Sequence, residues 1–158
     1  MNKAAFFDRD GTINIKDSGY LYECEKLEFV DGVPELIRKY NQDGYLVIVV
    51  TNQGGIAKGY YTESDVKKLH CYMNEVLEER WGARIDAFYF CPHHPEITGV
   101  CDCRKPASGM IEQAIGDYDI DVSQSVLYGD KQTDIEAGGK CGIKGILVEE
   151  NGCAGGEK

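Results

Sequence analysis

Two carboxylates stand two residues apart where an apolar run breaks into a loop, in Phe6-Phe7-Asp8-Arg9-Asp10-Gly11-Thr12. Taken alone, such a pair also fits a solvated turn closed by Gly11. Its chemical reading is more specific. A carboxylate can attack phosphorus, which splits hydrolysis of a phosphate ester into phosphorylation of Asp8 and attack of water on the acyl phosphate. Asp10 is then placed to protonate the leaving oxygen and later to take a proton from water. Two carboxylates facing a phosphate dianion need a hard cation, and Mg2+ binds through one or two carboxylates together with phosphate and water. The segment Gly129-Asp130-Lys131-Gln132-Thr133-Asp134 offers Asp130 as a further ligand. Asp134 fits two roles, support of the metal's surroundings or stabilisation of a helix's first turn.

Other groups suit phosphoryl oxygens. Thr51 and Asn52 supply a hydroxyl and an amide, and Gly54-Gly55 lets the backbone approach a ligand closely. Lys105 is a compact cation that can neutralise charge developing on a transferred phosphoryl group, although a lone lysine is equally a surface residue. Between these lie Cys91-Pro92-His93-His94 and Cys101-Asp102-Cys103, soft ligands in two close pairs. Cys91, His93, Cys101 and Cys103 would fill a tetrahedral zinc site with no open position, which makes the metal structural. His94 could replace His93, and a disulfide or unconnected thiols are the competing readings. Ordering this loop would aim Arg104 and Lys105 at the phosphate end, so loss of zinc is expected to damage both stability and catalysis. Cys24, Cys71, Cys141 and Cys153 show no ligand spacing, and His70 reads as a helix-face residue; none is assigned a function.

These groups must be positioned by an alternation of short apolar runs and longer helical patterns. Strands are predicted at residues 4–7, 45–50, 85–90, 125–128 and 145–148, mostly continuous apolar runs of the kind buried in parallel sheets. Helices are predicted at 33–42, ending near Gly44; from the capping pair Thr62 and Asp65 to Trp81; and at 108–118 and 132–140. Val66, Leu69, Met73, Val76 and Leu77 recur at helical spacing as core. The expected fold is α/β, a doubly wound, Rossmann-like parallel sheet with helices on both faces. Ligands in such sheets sit beyond the carboxyl ends of the strands, where Asp8, Thr51-Asn52 and Gly129-Asp130 fall.

A chain of 158 residues fits one domain, here 1–150 with a zinc loop at 91–103, followed by a polar Gly-rich tail at 151–158. No segment is long enough for a large cap domain, so an open pocket is expected, with residues 16–27 and the zinc loop recognising substrate. The formal charge of −10 argues against nucleic acid, whose partners carry a basic face, and leaves a small anion met by local cations. Neither a signal peptide nor a membrane span is evident. The expectation is a cytoplasmic protein with reduced cysteines, no membrane partner, and a monomeric state.

In order, Asp8-Arg9-Asp10-Gly11-Thr12, Thr51-Asn52, Lys105 and Gly129-Asp130 with Asp134 resemble the four motifs of the haloacid dehalogenase (HAD) superfamily of phosphotransferases. Within it the chain is similar to subfamily IIIA, through Gly19-Tyr20, Gly55-Ile56-Ala57, Cys91-Pro92-His93-His94-Pro95 and Cys101-Asp102-Cys103-Arg104-Lys105-Pro106, as far as about Val148. The resemblance implies Asp8 as nucleophile and Asp10 as general acid/base, with Thr51 and Lys105 assisting. It implies Mg2+ at Asp8, the Asp10 backbone and Asp130, zinc at Cys91, His93, Cys101 and Cys103, and a sugar phosphate substrate held by Asn52, Arg104, Lys105 and Lys131. The implied reaction is removal of the C7 phosphate from D-glycero-D-manno-heptose 1,7-bisphosphate in nucleotide-activated heptose synthesis for lipopolysaccharide core or surface glycans. The second phosphate of such a substrate would need Arg104, Lys58 or a nearby cation. Histidinol phosphate is the alternative substrate, since its phosphatases share the zinc loop. Two features depart from the pattern: the loop between His94 and Cys101 is short, and Gly54 stands where Ser is common. From other classes, a non-catalytic phospho-receiver or a zinc-loop adaptor needs no Asp10 beside Asp8.

Overall fold

The computed structural model describes residues 1–16 and 19–152. Cys153 and the rest of the expected tail beyond it lie outside the described residues. Five strands, β1 (Ala4–Phe7), β2 (Leu46–Asn52), β3 (Ala87–Cys91), β4 (Val126–Gly129) and β5 (Lys144–Leu147), form one sheet in the order β3-β2-β1-β4-β5. All four pairings are parallel. Helices α1 (Val33–Gln42), α2 (Glu63–Trp81), α3 (Gly109–Tyr118) and α4 (Gln132–Lys140) make the crossovers.

The side-chain alternation of β1 and β2 sorts the core into two layers. Ala5, Phe7, Val47 and Val49 face one way and pack with Ile37 of α1 and Leu69, Met73 and Leu77 of α2. Ala4, Phe6, Ile48 and Val50 face the other way, against Met110, Ile111 and Ala114 of α3 and Ala137 of α4. Because both faces are covered, the central strands read as unbroken apolar runs. This is the doubly wound α/β sheet expected. Of the five core positions expected in α2, Val76 alone is only half-buried.

Helix ends follow their local chemistry. Thr62 Oγ1 accepts the Asp65 N–H at 3.1 Å while Asp65 Oδ2 accepts the Thr62 N–H at 2.9 Å, closing the box that starts α2. Gly82 ends α2 in the left-handed region at φ 63°.

Strand ends differ from the sequence expectation for identifiable reasons. β2 runs two residues further, because Thr51 and Asn52 pair with Phe90 and Cys91 despite their polarity. β3 starts late because Asn74 Oδ1 of α2 takes the Ile85 N–H at 2.8 Å, and Asp86 Oδ2 takes the Val47 N–H at 2.8 Å. The Ser125 hydroxyl accepts the Ala4 N–H at 3.0 Å, so β4 begins one residue later. Between β1 and α1 the described chain holds only loop and a short 3-10 turn at Cys24–Lys26, with no inserted domain. Among the described residues no helix is long and apolar enough to cross a membrane.

Candidate active site

β1 and β4 are neighbours at the point where the strand order reverses, and the residues following them meet there. The loop after β1 is wound around one carbonyl: Arg9 O accepts the N–H groups of Thr12, Ile13 and Asn14. Gly11 takes φ +87°, and a Cβ there would stand 2.5 Å from Asp130 Oδ2, so glycine allows both the turn and the close approach of Asp130. Carboxylate oxygens of Asp8, Asp130 and Asp134 lie within 4.8 Å of one another.

Lys105 reaches into this cluster from the far end of the cysteine loop. Its Nζ donates to Asp8 Oδ1 at 2.8 Å and to the Val50 carbonyl at 2.9 Å, and pairs with Asp134 Oδ1 at 2.6 Å. At 5% exposure it is no surface lysine. Burial opposes its charge, but the carboxylates of Asp8 and Asp134 hold the ammonium above its ordinary value. Asn52 braces it: its Oδ1 accepts the Lys105 N–H at 2.9 Å.

Asp130 is left otherwise. Its Oδ1 has only the Thr12 hydroxyl at 3.4 Å, while its buried Oδ2 has no hydrogen-bond partner. Burial, reinforced by Asp8 beside it, pushes the Asp130 carboxyl up to about 7. An orphaned carboxylate oxygen within a carboxylate cluster is what a hard cation would satisfy. Asp134 is already engaged, by Lys105 and, through Oδ2, by the Lys131 N–H at 3.1 Å at the start of α4. It thus braces Lys105 and caps the helix.

Asp10 faces a separate set of donors. Its Oδ1 accepts from Arg9 Nε at 3.0 Å, lies 2.9 Å from Arg9 Nη2 and accepts from Asn14 Nδ2 at 3.1 Å; its Oδ2 accepts from Gln53 Nε2 at 3.1 Å. Burial raises this carboxyl, but the Arg9 charge and the three donor side chains outweigh it and hold it below the usual range. Gln53 also donates to Thr51 Oγ1 at 2.9 Å and accepts from the Tyr61 hydroxyl at 2.6 Å. Arg9 is fully buried, and its Nη1 lies 3.2 Å from His70 Nε2.

Sequence reasoning assigned nothing to Arg9, Gln53, Tyr61 or His70. His70 is a correction: it turns inward at 4% exposure and stacks on Phe88 with ring centroids 4.1 Å apart. Its spacing from Val66, Met73 and Leu77 already placed it on the apolar stripe of α2. An arginine two residues beyond a buried strand was the matching signal.

In the cysteine loop, Cys91, His93, Cys101 and Cys103 converge, with one ligand atom of each within 4.8 Å of the others. Cys101 Sγ lies 3.6 Å from Cys91 Sγ and 3.7 Å from Cys103 Sγ, and His93 Nδ1 lies 3.5 and 3.3 Å from the same two sulfurs, which are themselves in direct contact. His94 is outside the cluster, its Nδ1 accepting the Glu96 N–H at 3.2 Å. Arg104 Nη1 donates to the His93 carbonyl at 3.2 Å, which couples the loop to the cleft.

That cleft has a volume of about 890 Å³ and is lined by the cations Lys16, Lys26, Arg104 and Lys131 together with Asp8, Asp10, Asn52 and Lys105. Lys58 does not line it; its Nζ donates to the Tyr20 hydroxyl at 3.0 Å. At Gly54 a Cβ would stand 3.0 Å from Arg104 Nη1 and 3.1 Å from His94 Cδ2, so the missing side chain makes room for both.

A parallel sheet with acidic loops at β1 and β4 and a buried lysine between them defines a HAD-type hydrolase. A profile of the HAD-hydrolase-like family matches residues 102–157. The chain is 43% identical over 156 residues to the D-glycero-beta-D-manno-heptose-1,7-bisphosphate 7-phosphatase of Haemophilus ducreyi, covering 96% of this chain and 85% of that one. It is 48% identical over 153 residues to the D-glycero-alpha-D-manno-heptose-1,7-bisphosphate 7-phosphatase of Burkholderia mallei, covering 93% and 79%. Among solved structures, the D,D-heptose 1,7-bisphosphate phosphatase of B. bronchiseptica, complexed with magnesium and phosphate, superposes with a TM-score of 0.87 at 29% identity, covering 96% of this chain and 84% of that one. The chain belongs to the HAD family of hydrolases, and it is a phosphatase.

Proposed function

We propose that this phosphatase removes the C7 phosphate of D-glycero-D-manno-heptose 1,7-bisphosphate, in the synthesis of a nucleotide-activated heptose, by way of a phosphorylated Asp8. The observation that carries the chemistry is the convergence of Asp8, Asp130, Asp134 and Lys105, with one buried Asp130 oxygen lacking a hydrogen-bond partner and only the Lys131 ammonium 3.9 Å away. The names of the relatives support the sugar, and both anomers occur among them. The cleft volume and the cations Lys16, Lys26, Arg104 and Lys131 that line it suit a substrate with a second phosphate.

In this reading an oxygen of Asp8 attacks phosphorus and the bond from phosphorus to the sugar oxygen breaks. Its electron pair leaves with that oxygen, which takes a proton from Asp10. Water then attacks the phosphorus of the acyl phosphate while Asp10 takes its proton, releasing inorganic phosphate and restoring Asp8. Lys105 neutralises charge on the phosphoryl oxygens, and Thr51 and Asn52 frame the place where they lie. Asp8, the Asp10 backbone and Asp130 would hold Mg2+, which when bound offsets the repulsion between these carboxylates and the phosphate. Arg104 and Lys131 hold the substrate's outer part.

For the cysteine loop we propose a structural zinc at Cys91, His93, Cys101 and Cys103. A disulfide uses only two of these groups, whereas four convergent soft donors are what one tetrahedral ion requires.

The test is phosphate release with Mg2+ from both anomers of the heptose bisphosphate, histidinol phosphate and p-nitrophenyl phosphate, each as kcat/KM, for wild type and Asp8→Asn. A heptose bisphosphate is expected to lead by orders of magnitude, and Asp8→Asn to abolish turnover with its fold intact. A lead for histidinol phosphate would overturn the substrate. Near-normal turnover by folded Asp8→Asn would overturn the mechanism.

A further inference from the structure

Behind Asp10, on the side away from the cleft, the buried polar groups form a chain the reaction itself does not use. Arg9 carries only donors, so the 3.2 Å contact between its Nη1 and His70 Nε2 requires that nitrogen to be the acceptor. His70 is therefore neutral, with its proton on Nδ1. Burial and the neighbouring Arg9 charge point the same way, lowering the imidazole to about 3. The ring is fixed by its stack on Phe88 and its edge contact with Phe90, both from β3. Arg9 has its remaining groups committed as well, Nη2 donating to the Leu21 carbonyl at 2.9 Å and Nε to Asp10 Oδ1.

A buried guanidinium nitrogen with no acceptor at all is costly. The acceptor supplied by His70 engages Nη1, so each of the three guanidinium nitrogens has a partner, and Arg9 is held in one place and presents Nε and Nη2 together to a single oxygen of Asp10. From the other side Gln53, itself fixed by Tyr61 and Thr51, takes the second oxygen. A carboxyl pinned at both oxygens has its direction toward the cleft determined by the groups behind it.

We propose that His70 is a positioning residue for proton transfer, acting as a neutral hydrogen-bond acceptor that fixes Arg9 and thereby aims Asp10 at the leaving oxygen. The inference rests on the reading of Asp10 as general acid. It places the determinant of Asp10's aim on α2, 60 residues after that aspartate in sequence.

The experiment separates aim from general damage by the leaving group. In p-nitrophenyl phosphate the departing oxygen needs no proton, whereas in the heptose bisphosphate and in histidinol phosphate it does. His70→Phe keeps a ring to stack on Phe88 and removes the acceptor; His70→Gln restores an acceptor at similar reach. For His70→Phe we expect kcat/KM to fall by about 100-fold on the better alkyl ester and by no more than about threefold on p-nitrophenyl phosphate. His70→Gln is expected to stay within about threefold of wild type on both, the rescue a merely structural role would not give. Equal losses on both ester types overturn the inference, as does a His70→Gln variant that folds yet loses the alkyl ester. If His70→Phe does not fold, His70→Leu, which also lacks the acceptor, takes its place with the same expected asymmetry and the same refuting outcome. Asp10→Asn, assayed alongside, must show the same asymmetry; if it does not, the assignment of Asp10 fails and the inference with it, whereas asymmetry in Asp10→Asn without it in His70→Phe sinks the inference only.

Discussion

Replacing Asp130 with asparagine should make the magnesium-free protein more stable while removing its activity. The native carboxyl titrates at about 7 against 3.8 for an ordinary aspartate, because it is buried beside Asp8. A carboxyl raised in this way contributes stability that is fully present below the unfolded value and is lost as pH rises through the folded one. A difference of about three units corresponds to about 4 kcal/mol as an upper bound, and the effective dielectric of a protein interior, higher than that of a dry medium, cuts this to about 2 kcal/mol. Above pH 7, Asp130→Asn should therefore raise the melting temperature by about 5 °C in magnesium-free buffer. The gap should close as pH falls from 8 toward 5, where the native carboxyl holds its own proton. Thermal unfolding followed by circular dichroism at several pH values, with and without added Mg2+, measures this. Wild type should gain stability from Mg2+ and the variant should not. A variant no more stable than wild type at pH 8, or a gap that does not change with pH, would refute the claim that the carboxylate cluster is held against its own charge.

Two other perturbations test neighbouring parts of the site. Lys105→Met leaves Asp8 and Asp134 buried without their shared cation, and should cost about 3–5 kcal/mol in urea unfolding as well as abolishing turnover. Metal analysis of the purified protein should find one zinc per chain; stripping it with a zinc-selective chelator, or Cys101→Ser, should lower the melting temperature by about 10 °C and raise KM through loss of the Arg104 anchor on the His93 carbonyl.

What the sequence made legible was whatever leaves a local mark. Runs such as Ala4-Ala5-Phe6-Phe7 and Leu46-Val47-Ile48-Val49-Val50 announce buried strands, and Thr62 with Asp65 announces a helix start. Asp8, Asn52, Lys105 and Asp130 were legible because they follow such runs or stand beside a marked loop. Polarity misled at Thr51 and Asn52, where the ladder to β3 continues regardless of side chain. Nothing local joins Arg9 to His70, which lie 61 residues apart and meet only because α2 packs over β1 and β2. Loop reach was legible only in part: the loop at 16–27, expected to meet substrate, does line the cleft with Lys16 and Lys26, whereas Lys58, offered as a cation for a second phosphate, turns to Tyr20. Gly54, met first as a departure from the family pattern, proved to be the space occupied by Arg104 and His94.

The central place of β1 in the sheet has a consequence for how the protein is made. This strand is translated first, yet its partner on one side, beginning beside Ser125, lies 121 positions downstream of Ala4. At about 5–20 residues per second, that edge waits about 6–24 s on the ribosome for its neighbour. During this interval four apolar residues and an open ladder are available to any passing chain, the situation in which chaperones are needed. A nascent polypeptide shorter than about Asp134 already owns the carboxylates at positions 8 and 10 but lacks the far wall that gives them work, so translation itself sets the moment at which chemistry can begin.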